Sequence, residues 1–497
     1  TIGDVQPCAD ASQLAHRAPL PGDPARRASI TAALARAREM NAVVSLGTPL
    51  PDTAVAALVA DARTLDYAPL TAFALAIEAR QSITATHSDK AEQVLEQAVI
   101  HAETGGDDAL RFELELALGR LVGLDFERFD DGRHHLDRAS ALLKRIGGGP
   151  SREAQVLDVV ALVELRRGRL SVAEQESRSS LAKPGLPELD RAKYLQTLGY
   201  ILIDADRPRE AKSAFDEGLA IDERLLGSRH PRTGSMHEGL GGAYRHQHKY
   251  DDARRELALG LDILQSTFGP DSFDTGVALA NLATLDDSTK HYDVAETEMR
   301  QAFEIYKKVY GPNSSRTWRL LWRLGAVQNH AHHFDDAETT LLGAVAGLRG
   351  VFGDNHRQVS DVYFELGKLE TNRKRPAAAI PYFDAGAASL RASEGPTSKL
   401  LRRMYSGRGD AHSDLKQWPL ACADYEAAIA VAGEDPTGGS NRADLELSYA
   451  EALFNANRRT KALEMAKSAR QRFETLAATD DVKEADNWIK SKFPSER

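Results

Sequence analysis

The sequence is poor in the features that most often announce a function. Its two cysteines, Cys8 and Cys422, stand alone in 497 residues, so no disulfide framework or paired-cysteine metal site can be drawn. No apolar run approaches the ~18 residues that span a bilayer, which leaves a soluble segment without a membrane span. Basic side chains are the minority: 63 Lys and Arg against 73 Asp and Glu give a net charge of −10. A protein that neutralises nucleic-acid phosphates carries the opposite balance, so this one argues against nucleic acid as a partner. An initial Met is missing too, and the opening at Thr1 has neither the charged nor the apolar part of a signal peptide. A fragment or processed chain is therefore expected. What the sequence does have is core-forming material, 42% hydrophobic residues, enough to rule out a disordered chain.

At ~150 residues per domain the length alone would suggest about three domains. Internal repetition gives a different answer. Gly227, Gly269, Gly311, Gly353 and Gly395 recur at a constant step of 42 residues. The alanines Ala211, Ala253, Ala295, Ala337, Ala379 and Ala421 keep the same step, as do Leu198, Leu240, Leu282, Leu324 and Leu366. One period predicts two helices, about Phe273 to Ser288 and about Val294 to Tyr310, with apolar residues at i, i+3, i+4 and i+7 and a Gly-Pro stop. Small residues at Gly199, Gly241, Ala253 and Ala295 are expected to let helices approach closely. A single pair cannot bury its apolar face alone, so the pairs must stack.

The spacing predicts an irregular Pro-rich lead-in over 1–26, degenerate hairpins over 27–187 and a regular array over 188–433. A last hairpin and capping helix follow over 434–497. Ala91, Leu118-Gly119 and Ala173 mark the degenerate copies. The breakers Gly147-Gly148-Gly149-Pro150 and Pro184-Gly185-Leu186-Pro187 bracket one of them.

Leu240-Gly241-x-x-Tyr244 followed by Ala253 and Leu257, and Leu198-Gly199 followed by Ala211 and Phe215, resemble the tetratricopeptide (TPR) repeat. The 42-residue step is longer than the ordinary ~34. Together with Leu226-Gly227-Ser228-Arg229-His230-Pro231 it resembles the kinesin-light-chain type. The resemblance implies an all-α fold, a right-handed superhelical solenoid of about ten or eleven hairpins closed by a capping helix. A second resemblance is to the TPR region that follows the kinase domain in bacterial serine/threonine kinases. It is carried by Cys8-Ala9-Asp10, Leu65 to Leu70, Ala462-Leu463, Ala466, Ser468-Ala469-Arg470 and Trp488-Ile489. No Gly-rich loop with Ala-x-Lys, no His-Arg-Asp and no Asp-Phe-Gly is present, so a kinase of this type would lie outside this chain. That resemblance implies a signalling role and an extracytoplasmic position in a membrane-anchored protein, the cytoplasm being the alternative.

Candidate chemistry is thin. There is no Gly-x-Ser-x-Gly elbow and no His-Glu-x-x-His. Gly147-Gly148-Gly149-Pro150 lacks the Lys-Ser or Lys-Thr of a phosphate loop, and Gly239-Leu240-Gly241-Gly242 sits inside a helical pattern. Histidines cluster at turns: His246 with His248, then His291, then His330, His332 and His333. Zinc sites do use closely spaced histidines, but stacked repeats rise ~10 Å each. The first and last clusters are two repeats apart, so solvated turn histidines are the better reading. Cys422, between Ala421 and Ala423, reads as a small buried side chain. No catalytic residue, metal or cofactor is assigned.

The TPR resemblance implies a binding groove lined by first helices, at positions five and two before the central Leu and two, five and six after it. Those positions are Lys193, Gln196 and Tyr200; Glu238, Arg245 and His246; Arg319, Trp322, Asn329 and His330; Phe364, Lys368 and Asn372. Asn281 and Arg323, just before the central Leu, complete the set. Arg319 and Arg323 lie four apart on one face and could share a carboxylate. The two-repeat carboxylate clamp of some TPR proteins is not reproduced, because Glu238 and Gly242 stand where it requires Lys and Asn. Trp322 serves either as a groove anchor or as packing, with Trp318 on the neighbouring face. The expected function is a non-catalytic scaffold or sensor arm that binds a protein or peptide partner. The alternatives are the regulatory arm of a TPR-linked protease or transcription regulator, and a free-standing adaptor.

Overall fold

A computed structural model describes residues 18–45, 50–84, 88–433, 439–476 and 478–494. Cys8 and most of the Pro-rich lead-in lie outside the described residues. Among those that are described, twenty-three α-helices and one short π turn are present and no strand. The chain divides into two compact units, Thr1–Leu285 and Asp286–Arg497.

The first unit holds α1 (Pro24–Ser45), α2 (Asp52–Leu65), α3 (Ala68–Thr84), α4 (Ser88–Thr104), α5 (Asp108–Arg120) and α6 (Phe129–Ile146). It continues with α7 (Pro150–Arg167), α8 (Leu170–Leu181), α9 (Glu188–Asp204), α10 (Pro208–Leu226), α11 (Pro231–His246) and α12 (Tyr250–Phe268). Helix α13 (Phe273–Ser288) crosses the division. The second unit holds α14 (Tyr292–Tyr310), α15 (Ser315–His330), α16 (Phe334–Phe352), α17 (Arg357–Asn372), α18 (Pro376–Glu394) and α19 (Leu401–Asp414). It ends with α20 (Trp418–Ala432), α21 (Gly439–Asn455), α22 (Arg459–Thr475) and α23 (Thr479–Lys492). Odd-numbered helices up to α21 are the first of each hairpin and even-numbered ones the second, and α23 stands alone at the end.

The repeat explains the packing. Ala211, Ala253, Ala295, Ala337, Ala379, Ala421 and Ala462 are all completely buried, the closest points between first and second helices. The large residue four positions after the alanine seats on the glycine that follows the central leucine. A Cβ on Gly199 would stand 2.5 Å from the Phe215 ring, and one on Gly241 2.5 Å from Leu257. On Gly325 it would meet Leu341 at 2.7 Å, and on Gly367 the Phe383 ring at 2.6 Å. Only glycine leaves the hole that these residues fill. Truncating any of the four fillers would cost about 2–5 kcal/mol.

Within each unit the first helices of successive hairpins touch one another: α5, α7, α9 and α11 in one, α15, α17, α19 and α21 in the other. Second helices make no comparable contact among the described residues. Each unit therefore curves with its first helices on the inside. The end of the second unit is closed by α23, whose Ala485 is fully buried while Ile489 packs on Ala450 and Ala466. Trp488 Nε1 donates to Glu451 Oε2, as expected for a capping helix with one apolar face. No helix among the described residues is long and apolar enough to cross a membrane.

Candidate functional site

The inner face of the first unit is built by α7, α9, α11 and α13. Lys193 of α9 reaches across to Asp158 of α7 at 3.1 Å, and Asp158 is completely buried. Tyr200 is 37% exposed, its ring edge-on to Phe215 with centroids 5.3 Å apart. Its hydroxyl lies among protein atoms, and burial followed by the nearby Glu238 raises the phenol pKa, against which a hydrogen bond with Gln196 acts. Glu238 of α11 accepts a hydrogen bond from Asn281 Nδ2 of α13 at 3.1 Å. Burial first, with Asp274 adding negative potential, pushes the Glu238 carboxyl up to about 8 against the pull of the Asn281 bond. Two turns further along α11, Arg245 donates to His246 Nε2 at 3.0 Å. Burial lowers the pKa of both, and neither gains a carboxylate at hydrogen-bonding distance among the described residues.

The inner face of the second unit is built by α15, α17 and α19. Arg319 and Arg323 are half-buried, and both act electrostatically on Tyr306 of α14. Trp322 packs at the margin of a cluster that includes Leu341, Leu348 and Val359, and its buried Nε1 has no hydrogen-bond partner among the described residues. Trp318 takes the other face, where a Cβ on Gly347 would stand 2.2 Å from its ring. Asn329 is fully buried, and its Oδ1 accepts from the exposed Asn372 Nδ2 at 3.0 Å. Asn329 thus holds Asn372 in place. His330 Nδ1 pairs with Asp287 Oδ1 at 2.7 Å. Phe364 lies beneath two cations, Lys368 Nζ at 5.7 Å and Arg403 Cζ at 5.1 Å from the ring centroid. Lys368 also pairs with Glu365 at 3.0 Å.

Neighbouring first helices are tied by pairs 42 or 43 residues apart: Glu238 with Asn281, Asp287 with His330, Asn329 with Asn372, and Asp361 with Arg403. The last pair was not foreseen, although the signal was in the sequence. Arg319, Asp361 and Arg403 stand at one position of three successive repeats, but α19 carries Arg408 where the others carry the central leucine. A rule anchored on leucine passes over that helix. Burial and the like charge of Arg357 bring the Arg403 guanidinium down to about 10; its Nη2 pairs with Asp361, while its buried Nε has no partner among the described residues.

The turn histidines are placed by local geometry. His248 and His332 have left-handed backbones, at φ 58° and 62°. His291 lies 3.3 Å from Asp286 and His333 pairs with Glu296 at 2.8 Å. Cys422 is 2% exposed against Tyr425 and neighbouring apolar residues.

A family-model match agrees with the repeats. The family model described as tetratricopeptide repeat matches residues 190–258 and 233–308. Among solved structures, the chain is similar to a Rap protein complexed with competence and sporulation factor. The identity is 14%, over 72% of this chain and 97% of that one, with a TM-score of 0.48. It is similar to a putative kinesin light chain with nearly identical TPR-like repeats from Podosopora anserina, at 16% identity, 41% and 98% coverage and a TM-score of 0.36. A third is BtubC (BKLC) from P. vanneervenii, at 18% identity, 49% and 92% coverage and a TM-score of 0.34. No curated protein sequence matches. The chain carries tetratricopeptide repeats through the matched residues, on an all-α array of helical hairpins.

Proposed function

We propose that the inner faces of the first helices bind an extended segment of a partner protein, which makes this chain a non-catalytic scaffold or sensor arm. The observation that supports this reading is a set of desolvated charges on those faces. Glu238 is driven up to about 8 and Arg245 is driven down, in each case first by burial. A face that serves only solubility keeps its charges hydrated. Charges half-withdrawn from water mark places where a ligand supplies what the protein does not. Phe364 beneath two cations and the open edge of Tyr200 add aromatic surface of the kind that anchors peptides.

Selection of a random peptide library on the full chain tests the proposal. Peptides that bind the wild type should lose about tenfold or more in affinity on a combined Arg319→Ala and Arg323→Ala variant or on Arg403→Gln, with unchanged helicity. Failure to enrich any peptide, or hydrolysis of ATP or peptide by the purified chain, would overturn it.

The finer reading is a C-terminal region of a bacterial serine/threonine kinase, held outside the cytoplasm. Its support is the resemblance at Leu65 to Leu70 and Ala462 to Arg470. The reading frame upstream of Thr1 decides it: a kinase domain and membrane span support the assignment, and a peptidase or DNA-binding domain removes it.

A further inference from the structure

We propose that α11 reads a mixed-charge peptide, with a basic side chain seated on Glu238, an acidic one on Arg245, and the peptide backbone passing over Gly242. This rests on the peptide-binding reading above and adds the ligand's chemistry. Glu238 and Arg245 are seven residues apart, so they share a face of the helix and are separated by ~10 Å along its axis. At that distance they do not satisfy each other.

Neither charge has its complement among the described residues. Glu238 accepts a hydrogen bond from a neutral amide, Asn281, and the charge that acts on its carboxyl, Asp274, has the same sign. Arg245 donates to an imidazole and pairs with no carboxylate. Glu238 keeps 8% of its surface open beside the more exposed Tyr200.

Three of the six residues between the charges are glycines. Helix α11 contains Gly239, Gly241 and Gly242, and packing explains only two of them. A Cβ on Gly239 would be 2.3 Å from Phe215 and one on Gly241 2.5 Å from Leu257. On Gly242 it would meet only Ile203 Cδ1, at an ordinary 3.4 Å. A helical glycine without a packing reason is unfavourable by about 1 kcal/mol relative to alanine. Here it lets another main chain come close between the two charges. A polyproline-II segment rises ~3.1 Å per residue with three residues per turn, so side chains three apart share a face and span ~9 Å. That matches the separation on α11.

The test uses the full chain and short fluorescein-labelled peptides on a Pro-Ala-Gly background. They carry Lys and Asp three residues apart in either order, Lys alone, Asp alone, or no charge. One order of the mixed-charge peptide should bind about tenfold or more tighter than the uncharged peptide. Glu238→Gln should remove the advantage of Lys and keep that of Asp, and Arg245→Gln should do the reverse. Gly242→Ala should weaken every peptide while raising the melting temperature, which separates loss of binding from loss of fold. Binding of the Lys peptide at pH 7 should also release a proton, read by calorimetry in two buffers. The Glu238 carboxyl, neutral there with Asn281, Asp274 and Tyr200 around it, would ionise against the ammonium. Equal binding of all peptides, or equal losses in both charge variants, overturns this inference while library-selected peptides still support the broader reading. If those fail to bind as well, both fall.

Discussion

From α9 onward each repeat contains two turns, and the chain treats them in opposite ways. The turn from first to second helix passes through Asp206, His248, Lys290, His332, Lys374, Lys416 and Asn457, all at φ between 56° and 64°. None of these is glycine. The turn from second helix to the next first helix passes through Gly227, Gly269, Gly311, Gly353 and Gly395, and every one is glycine. Both have positive φ, but the glycines lie at larger φ and combine it with an extended ψ: Gly311 lies at φ 79°, ψ 162° and Gly353 at φ 77°, ψ −179°. The first turn sits in the left-handed helical well, which side chains enter for about 1–2 kcal/mol and which Asn, Asp and His enter most readily. The second sits where a Cβ is essentially forbidden. The first turn is held by backbone bonds such as His333 N–H to Gln328 O at 2.9 Å and Arg375 N–H to Glu370 O at 2.8 Å. These close the helix and make an ill-suited residue tolerable.

Gly311→Ala breaks the comparison where it is strongest. Nothing lies within 4 Å of a Cβ at that position, so the whole penalty is backbone strain. It should destabilise the α14–α15 junction by about 3 kcal/mol, seen as faster amide exchange in both helices. Stacked repeats open locally, so exchange reads this better than a global melt. A loss below about 0.5 kcal/mol would show that this turn tolerates a side chain after all. Next in size is Thr317→Val. Thr317 Oγ1 donates to the Gly311 carbonyl at 2.8 Å, and Thr275 and Thr233 repeat the bond to Gly269 and Gly227 at 2.8 and 3.0 Å. Valine keeps the shape and removes the donor, so a loss of about 1 kcal/mol at the same junction is expected. An unchanged exchange pattern would remove the hydroxyl from the account of this turn.

This difference also explains what could be read from the sequence. The forbidden turn leaves a constant residue every 42 positions, and with the buried alanines it gives helix pairs, boundaries and period directly. The expected Phe273–Ser288 helix is found at those residues, and the next begins at Tyr292, two residues before the expected Val294. The permissive turn leaves no such trace: His248 and His332 read from sequence as solvated turn histidines, and nothing in residue type shows that their backbones are left-handed. On the inner faces, residue type again carried less information than environment. Glu238 and Arg245 could be placed by repeat position, but that both are desolvated without an opposite charge depends on Asn281, Asp274 and His246. Arg403 was missed because its helix lacks the central leucine.

The smallest effect sharpens the comparison most. At Lys374, φ 61°, replacement by glycine relieves the left-handed penalty but adds freedom to the unfolded chain. The net change should be a gain of a few tenths of a kcal/mol up to about 1 kcal/mol. Alanine should change little, since it meets the same Cβ constraint as lysine. Valine should lose about 1 kcal/mol or more, because its branched Cβ crowds the backbone further. Exchange rates in α17 and α18 would rank the three as glycine, alanine, valine, from slowest to fastest. If Lys374→Gly instead weakens this turn as much as Gly311→Ala weakens the other, then the lysine contributes through its side chain. The asymmetry between the turns would then not be one of backbone conformation alone.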